Sequence, residues 1–488
     1  MNYKKPFEPT TKDIANAILS EHSFKTLKEY DTDREEMYMY VPPSFNSDKS
    51  GIYIRCEPEL KILTEIAFDD IYKSVMSLIK AKQFDNPELS KMLKRIKNKY
   101  DVGLTTHEVN EVMDKIRRKT FIDRNKMNPS SHIPVMNGLL NLETFELEPF
   151  TPDLFYTWKV QGNYDEKIKS LNDVPQFRNF LYSVFDEKDI PMVLDYGGYI
   201  FYPDLPIQKI LVLAGEPRIG KGTTIRILEN AIPEGHATIT IRKLLNPKIT
   251  FEFQNIEGKN LLVDPEIERD NGIKLNFSLI NSLFGGDTLQ LEKKFKGITN
   301  YISRAKGILA GNIPLFYVTN PAFLARLLIV KTRMKSKGFK ETPNLDRIIW
   351  EAEGSKIVSL LLNRLKGLIK RNFKFSNQQP PEYYSKLWEL MCDTIKQFMD
   401  KRLMYSESDS VDVDNAYDAY KLDCESKGIP AEAQHTFVAR VGKPPYSRKK
   451  LMDNGKYHNV FYNCKMILIG EMDEDALKHN HNMDFDEI

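Results

Sequence analysis

The stretch Lys209–Asn230, KILVLAGEPRIGKGTTIRILEN, constrains this chain more than any other. It opens with an apolar run, Ile210–Leu213, of the kind that forms a buried parallel strand. The loop Gly215, Glu216, Pro217, Arg218, Ile219, Gly220, Lys221, Gly222 follows, and then Thr223 and Thr224 lead into Ile225, Ile227 and Leu228 at helical density. Strand, glycine loop and helix are the layout of a phosphate-binding loop. Glycines let backbone amides turn toward phosphate oxygens, the helix start adds partial positive charge, and a lysine reaches the outer phosphates. The spacing G-x-x-x-x-G-K runs from Gly215 to Lys221. Gly222 stands where a hydroxyl is usual, so the hydroxyl that would hold magnesium is either Thr223 or Thr224.

Further signals follow this loop in order. The apolar run Leu261–Val263 ends in Asp264, Pro265 and Glu266. Carboxylates at the end of a neighbouring strand suit a metal ligand and a water-orienting base. We assign Asp264 to the metal and Glu266 to the water, with Glu268 in reserve; solvated carboxylates after a core strand are the plainer alternative. Gly285-Gly286-Asp287 then leads toward Lys293, Lys294 and Lys296 around Phe295. This basic excursion is either a DNA-gripping hairpin, since lysines bind phosphate regardless of sequence, or an exposed turn. The run before Gly311 ends in Asn312-Ile313-Pro314, and Asn312 can sense a γ-phosphate or simply form a turn. Arg326 precedes the last apolar run, Leu327–Val330; taken alone it reads as a surface arginine. These runs, with helical patterns between several of them, predict an α/β core with a parallel sheet.

The 488 residues allow about three domains at ~150 residues each. We expect a mostly helical unit over 1–125 with a small hairpin around Tyr38, Tyr40 and Ile52–Ile54. A β lead-in at 126–171, with its turn at Asn137-Gly138, comes next. The α/β core follows at 172–375, ending in a long helix. Ser376–Tyr384 reads as a linker, 385–470 as helices followed by a basic hairpin, and 471–488 as an acidic, flexible tail. Ile62, Ile66, Ile71, Val75 and Ile79 predict one or two amphipathic helices, and Thr105 with Glu108 a capping box. Lys91, Lys94, Arg95, Lys97 and Lys99 form either a solvated helix face or a nucleic-acid contact. Cys56, Cys392, Cys424 and Cys464 have no zinc or redox spacing, which points to reduced core thiols and a cytoplasmic protein. The start, MNYKKPFEPTT, has no apolar signal core, and no run approaches the ~18 apolar residues of a membrane span. A net charge of +2 decides nothing about partners.

The order of Gly215–Thr223, Asp264-Pro265-Glu266, Gly285-Gly286-Asp287, Gly311-Asn312-Ile313-Pro314 and Arg326 resembles superfamily 3 helicases. It is most similar to the helicase part of phage and plasmid primase–helicases of the poxvirus type. Ile133–Glu148, IPVMNGLLNLETFELE, looks like that family's lead-in, and the C-terminal pattern looks like its winged-helix end. The resemblance covers about 120–468 and implies a homo-hexameric AAA+ P-loop ATPase that moves along single-stranded DNA with ATP and Mg2+. It implies that Lys221 binds phosphate, Asn312 is the sensor, Arg326 is a finger acting in trans, and the Lys293–Lys296 loop is the DNA hairpin. Arg448, Lys449 and Lys450 would meet DNA, including origin duplex. The chain is also similar to stand-alone replication initiators of staphylococcal pathogenicity islands and related mobile elements. Priming is not expected: the D-x-D of the first 125 residues, Asp31-Thr32-Asp33, has no zinc spacing beside it. A monomeric P-loop kinase, or a DNA-binding scaffold regulated by ATP, are the competing readings.

Overall fold

The computed structural model describes residues 7–28, 35–45, 47–81, 87–241, 256–267, 277–293, 297–312, 320–334, 341–426, 431–453 and 456–467. Glu268, Lys294, Phe295, Lys296, Ile313, Pro314, Asp31, Asp33 and the acidic tail 471–488 lie outside these residues.

The N-terminal part carries more sheet than its periodicity predicts. After helix α1 (Thr11–Glu21), strands β1 (Phe24–Lys28), β2 (Glu35–Tyr40) and β3 (Tyr53–Arg55) form. Helices α2 (Glu57–Ala81), α3 (Pro87–Val102) and α4 (Thr106–Lys119) follow, and then β4 (Phe121–Ile122). The sheet order is β3-β2-β1-β4. The expected hairpin is β2–β3, with Tyr40 opposite Tyr53. Strand β1, FKTLK, is hard to see in sequence because two lysines and five residues carry little alternation. One helix, α2, spans the predicted pattern, but Ile62 and Ile66 are exposed while Leu60, Thr64, Phe68, Ile71 and Val75 are buried. Phe68 and Tyr72 pull the buried stripe to their own side, since two aromatic rings bury more apolar area than two isoleucines. The capping box at Thr105 and Glu108 is present. Of the five basic residues before it, Arg95 pairs with Glu8 and Lys99 with Glu108.

The lead-in is a meander of β5 (His132–Val135), β6 (Gly138–Asn141) and β7 (Leu147–Glu148). Val135 pairs with Gly138, so the turn residues are Met136 and Asn137, one position earlier than expected. The Asn137 side chain is committed elsewhere: it accepts from the Tyr164 amide and donates to the Tyr164 carbonyl. That exchange holds Asn137 in the loop.

Helices α5 (Pro175–Val184) and α6 (Ile190–Tyr199) precede the central sheet. Its elements run β8 (Ile210–Gly215), α7 (Lys221–Ala231), β9 (His236–Thr238) and β10 (Leu261–Asp264). They continue with α8 (Ser278–Leu283), the hairpin β11 (Thr288–Lys293) and β12 (Gly297–Ile302), then β13 (Lys306–Asn312), α9 (Pro321–Leu324), β14 (Leu327–Lys331) and α10 (Leu345–Lys370). The five strands lie in the order β14-β8-β13-β10-β9, and every neighbouring pair is parallel. Four of them are the apolar runs read from sequence. The fifth, β9, is three residues at an edge, too short and polar to announce itself. The carboxylate of Asp195 on α6 is fully buried and ion-paired to Arg364 at 2.6 Å and Arg371 at 2.8 Å. It also accepts from the Ser376 amide, clasping α6 to the end of α10 and the segment beyond it.

Ser376–Tyr384 is not a free linker. Helix α11 (Pro381–Cys392) begins inside it, with proline at its first turn, where no amide hydrogen bond is lost. Tyr384, Leu387, Trp388 and Met391 share one face at helical spacing and are buried in the central core. Trp388 meets Phe323 edge to face at 6.0 Å. The separate C-terminal core starts at Ile395. It is built by α12 (Thr394–Arg402), β15 (Leu403–Asp412), α13 (Val413–Ser426), α14 (Gln434–Val441), β16 (Ser447–Asp453) and β17 (Lys456–Met466), with strand order β15-β17-β16. Phe398, Tyr420, Phe437 and Phe461 fill it. All four cysteines are buried free thiols. No described helix is long and apolar enough to cross a membrane.

Candidate functional site

Parallel strands end together, and ligands of such sheets bind outside the carboxyl ends. Here those ends are Gly215 on β8, Asn312 on β13 and Asp264 on β10; the register places Asn312 directly opposite Gly215. The loop after Gly215 turns through Arg218 at φ 62° and Gly220 at φ 119°, and α7 starts at Lys221. Gly215 must be glycine, because a Cβ there would sit 1.8 Å from the Thr332 hydroxyl. Gly220 packs against α5: its Cβ would meet Val184 at 2.5 Å. The sheet and α5 thus mould the loop from both sides.

Lys221 is buried, and its ammonium donates to the carbonyls of Gly215 at 3.0 Å and Glu216 at 2.6 Å, and to Oδ1 of Asn312 at 3.0 Å. An ammonium has only donors, so the atom of Asn312 facing it is the amide oxygen. Two residues singled out separately in the sequence are therefore joined. The two threonines differ. Thr224 is buried and donates to the Gly220 carbonyl at 3.1 Å, as a helix residue bonding back one turn. Thr223 is less buried, and its hydroxyl accepts from Arg226, which also pairs with Asp346 at 3.1 Å.

Asp264 is buried, and its two oxygens accept from the amides of Ile241 at 2.7 Å and Glu266 at 3.2 Å. A carboxylate oxygen can accept more than one partner, which is the chemistry a cation ligand needs. Glu266 is exposed, and the next residue, Ile267, bonds through its amide to the Ala310 carbonyl on β13. Among the described residues no three His, Cys, Asp or Glu side chains group as a metal cage. A divalent ion here would be of the magnesium kind, held by one or two protein oxygens together with phosphate.

Arg326 lies at the opposite edge. It directly precedes Leu327, which pairs with Ile210 at the start of β8. The five steps from Ile210 to Gly215 amount to roughly 16 Å at the rise of a parallel strand. Its guanidinium donates to the Ala322 carbonyl at 2.6 Å and to Oε1 of Gln208 at 2.9 Å. Burial lowers its pKa, an effect that Asp287 opposes. Sequence reasoning missed Gln208 and Thr332, since lone polar residues beside a motif carry no spacing signal.

The hairpin β11–β12 is antiparallel, with Lys293 opposite Gly297 beside the tip. Lys294 and Lys296 fall outside the described residues. In the C-terminal unit Arg448, Lys449 and Lys450 are exposed on β16, and the Lys449 ammonium lies 4.5 Å from the Tyr462 ring centre. Tyr446, shortly before them in the chain, is buried, its hydroxyl donating to the Leu403 carbonyl at 3.1 Å. Arg440 is tied to Asp393.

Residues 15–186 match the family described as D5 N terminal like. That match ends before the glycine loop. No curated protein matches the chain. The A form apo structure of the NrS-1 C terminal region aligns at 10% identity and a TM-score of 0.38, covering 92% of this chain and 99% of that one. Another apo structure of the NrS-1 C terminal region aligns at 11% identity and a TM-score of 0.38, covering 94% and 100%. A JCV helicase bound to a thiazolopyridine-phenoxy acetamide aligns at 16% identity and a TM-score of 0.22, covering 46% and 67%.

Proposed function

We propose that this chain is an ATP-dependent DNA helicase of superfamily 3, built on an AAA+ P-loop core with a C-terminal winged-helix-like unit. It works as a DNA-translocating homo-hexamer and initiates replication of a mobile element. The observation that carries the reading is the meeting of Lys221, Asn312 and the start of α7 at the carboxyl ends of β8 and β13. The match of residues 15–186 to the D5 N terminal like family supports it from the other end of the chain.

In this reading Gly215–Thr224 cradles the ATP phosphates, and Lys221 exchanges its loop carbonyls for phosphate oxygens. Thr223 or Thr224 and Asp264 would hold Mg2+, which would supply charge neutralisation along the phosphates. Glu266 takes the proton of the attacking water, and Asn312 orients that water against the outer phosphate. Arg326 stands directly before β14, beside the end of β8 away from the loop, and in this reading it acts on the nucleotide of an adjacent subunit. Lys293, Lys294 and Lys296 grip single-stranded DNA inside the ring; Arg448, Lys449 and Lys450 meet duplex.

The deciding experiment measures ATP hydrolysis with and without DNA, unwinding of a fork, and mass with ATP and DNA. DNA-stimulated hydrolysis by a ring, abolished in Lys221→Ala, is expected. A persistent monomer, or full hydrolysis by Lys221→Ala, would overturn the reading; the monomer would favour a P-loop kinase. Mixing Lys221→Ala with Arg326→Ala subunits is expected to restore part of the activity, because each supplies what the other lacks.

A further inference from the structure

Resting on that reading, we infer that Gln208 is a positioning residue: it aims Arg326 at the adjacent subunit's nucleotide and ties it to the root of the β11–β12 hairpin. Gln208 stands two residues before β8, and its amide is used at both ends. Oε1 accepts from Arg326 Nη2 at 2.9 Å, and Nε2 donates to the Gly285 carbonyl at 2.6 Å. The assignment of the two ends is forced, since a guanidinium only donates and a carbonyl only accepts.

Gly285 begins the turn Gly285-Gly286-Asp287 that feeds β11. The same turn crowds the arginine: a Cβ on Gly285 would lie 3.3 Å from both Arg326 Nη2 and Asp287 Oδ2. A displacement of the hairpin root is therefore felt at the guanidinium through one side-chain amide.

The arginine is held from behind and only partly satisfied. Its five N–H donors meet two acceptors, Ala322 O and Gln208 Oε1, and Nε is buried with no hydrogen-bond partner among the described residues. Lys209 is bound to the Ala325 carbonyl at 2.7 Å, adding a second cation to the spot, and burial and then Arg326 lower its pKa. Two cations against the one carboxylate of Asp287, with guanidinium donors to spare, suit an incoming phosphate. Fixing such a group in advance serves catalysis, because small misplacements cost up to about 100-fold in rate.

Gln208 is exposed, so replacing it leaves the core intact. The test compares Gln208→Leu and Gln208→Glu with the wild type in the full chain, reading kcat and KM for ATP and the ratio of DNA-stimulated to basal hydrolysis. Leucine loses both contacts; kcat is expected to fall about tenfold with KM for ATP unchanged, since the nucleotide sits on another subunit's loop. Glutamate keeps an acceptor for Arg326 but cannot donate to Gly285; it is expected to recover most of kcat while the stimulation ratio falls toward one. Any other pattern overturns the inference. Lys221→Ala, run alongside, separates the two levels. If it hydrolyses ATP as wild type, the proposed function itself fails; if it is inactive while Gln208→Leu behaves as wild type, only the role of Gln208 falls.

Discussion

The ammonium of Lys221 lies 3.0 Å from the side-chain oxygen of Asn312, joining the first residue of α7 to the last of β13 across 91 positions of sequence. Strand pairing makes this contact: Asn312 stands opposite Gly215, and the loop returns Lys221 over that pair. A nucleotide bound as proposed would compete with Asn312 and two carbonyls for the same ammonium. Lys221→Ala is expected to lose at least about 100-fold in hydrolysis, and Asn312→Ala about 10- to 100-fold with a smaller change in KM. Steady-state kinetics checks both; equal losses in kcat and affinity for Asn312→Ala would assign it to binding alone.

The loop glycines are not equivalent. At Gly222 a Cβ meets only the end of the Arg226 side chain, at 3.2 Å, whereas Gly220 combines φ 119° with a 2.5 Å approach to Val184. Gly222→Ser is expected to fold as wild type and to tighten Mg2+-dependent ATP binding by restoring the usual hydroxyl. Gly220→Ala is expected to destabilise the protein by about 1–3 kcal/mol. Thermal melting and nucleotide titration at varied Mg2+ read both, and a melt of Gly220→Ala equal to wild type would contradict the packing account.

Arg448, Lys449 and Lys450 follow one another on an exposed edge strand. If they neutralise phosphates, changing all three to alanine lowers the log–log salt slope of duplex binding by about 2–3. The β16 backbone should persist, since Phe461 and Tyr446 carry the packing beneath it. Binding isotherms at several salt concentrations measure the slope; an unchanged slope would send the duplex contact elsewhere.

Glu108 makes stability depend on pH. Burial raises its pKa, but hydrogen bonds from Lys99 and Thr105 outweigh that and bring it to about 2 from the ordinary 4.5. A depressed folded pKa means that the contribution is whole above pH 4.5 and is lost as pH falls through about 2. Glu108→Ala is expected to cost about 1 kcal/mol at pH 7 through loss of the capping box. The gap to wild type should shrink between pH 4.5 and 2, as followed by hydrogen exchange of the α4 amides at matched pH. A gap constant across that range would deny the charge its role.

The glycine loop, the runs around it and the capping box at Thr105 were legible because each is a local pattern with a local cause. A loop needs its glycines within a few residues, and a buried parallel strand needs an unbroken apolar run. Strand β1, with two lysines in five residues, and β9, with three residues at an edge, have no such pattern. The linker expected at Ser376–Tyr384 failed for a different reason: prolines that break a helix interior also start one, and only Trp388 docking on Phe323 shows which applies.

The sequence alone singled out the candidate site residues: a lysine behind glycines, carboxylates after a strand, an amide at a strand end. Residue type and short spacing are written in the chain and need no partner. Tertiary structure decided who meets whom. Parallel register brought Asn312 to Lys221 and set Arg326 at the far edge of the sheet beside Gln208. Those contacts depend on strand order, which arises from packing many distant apolar runs into one core, and no local spacing encodes it.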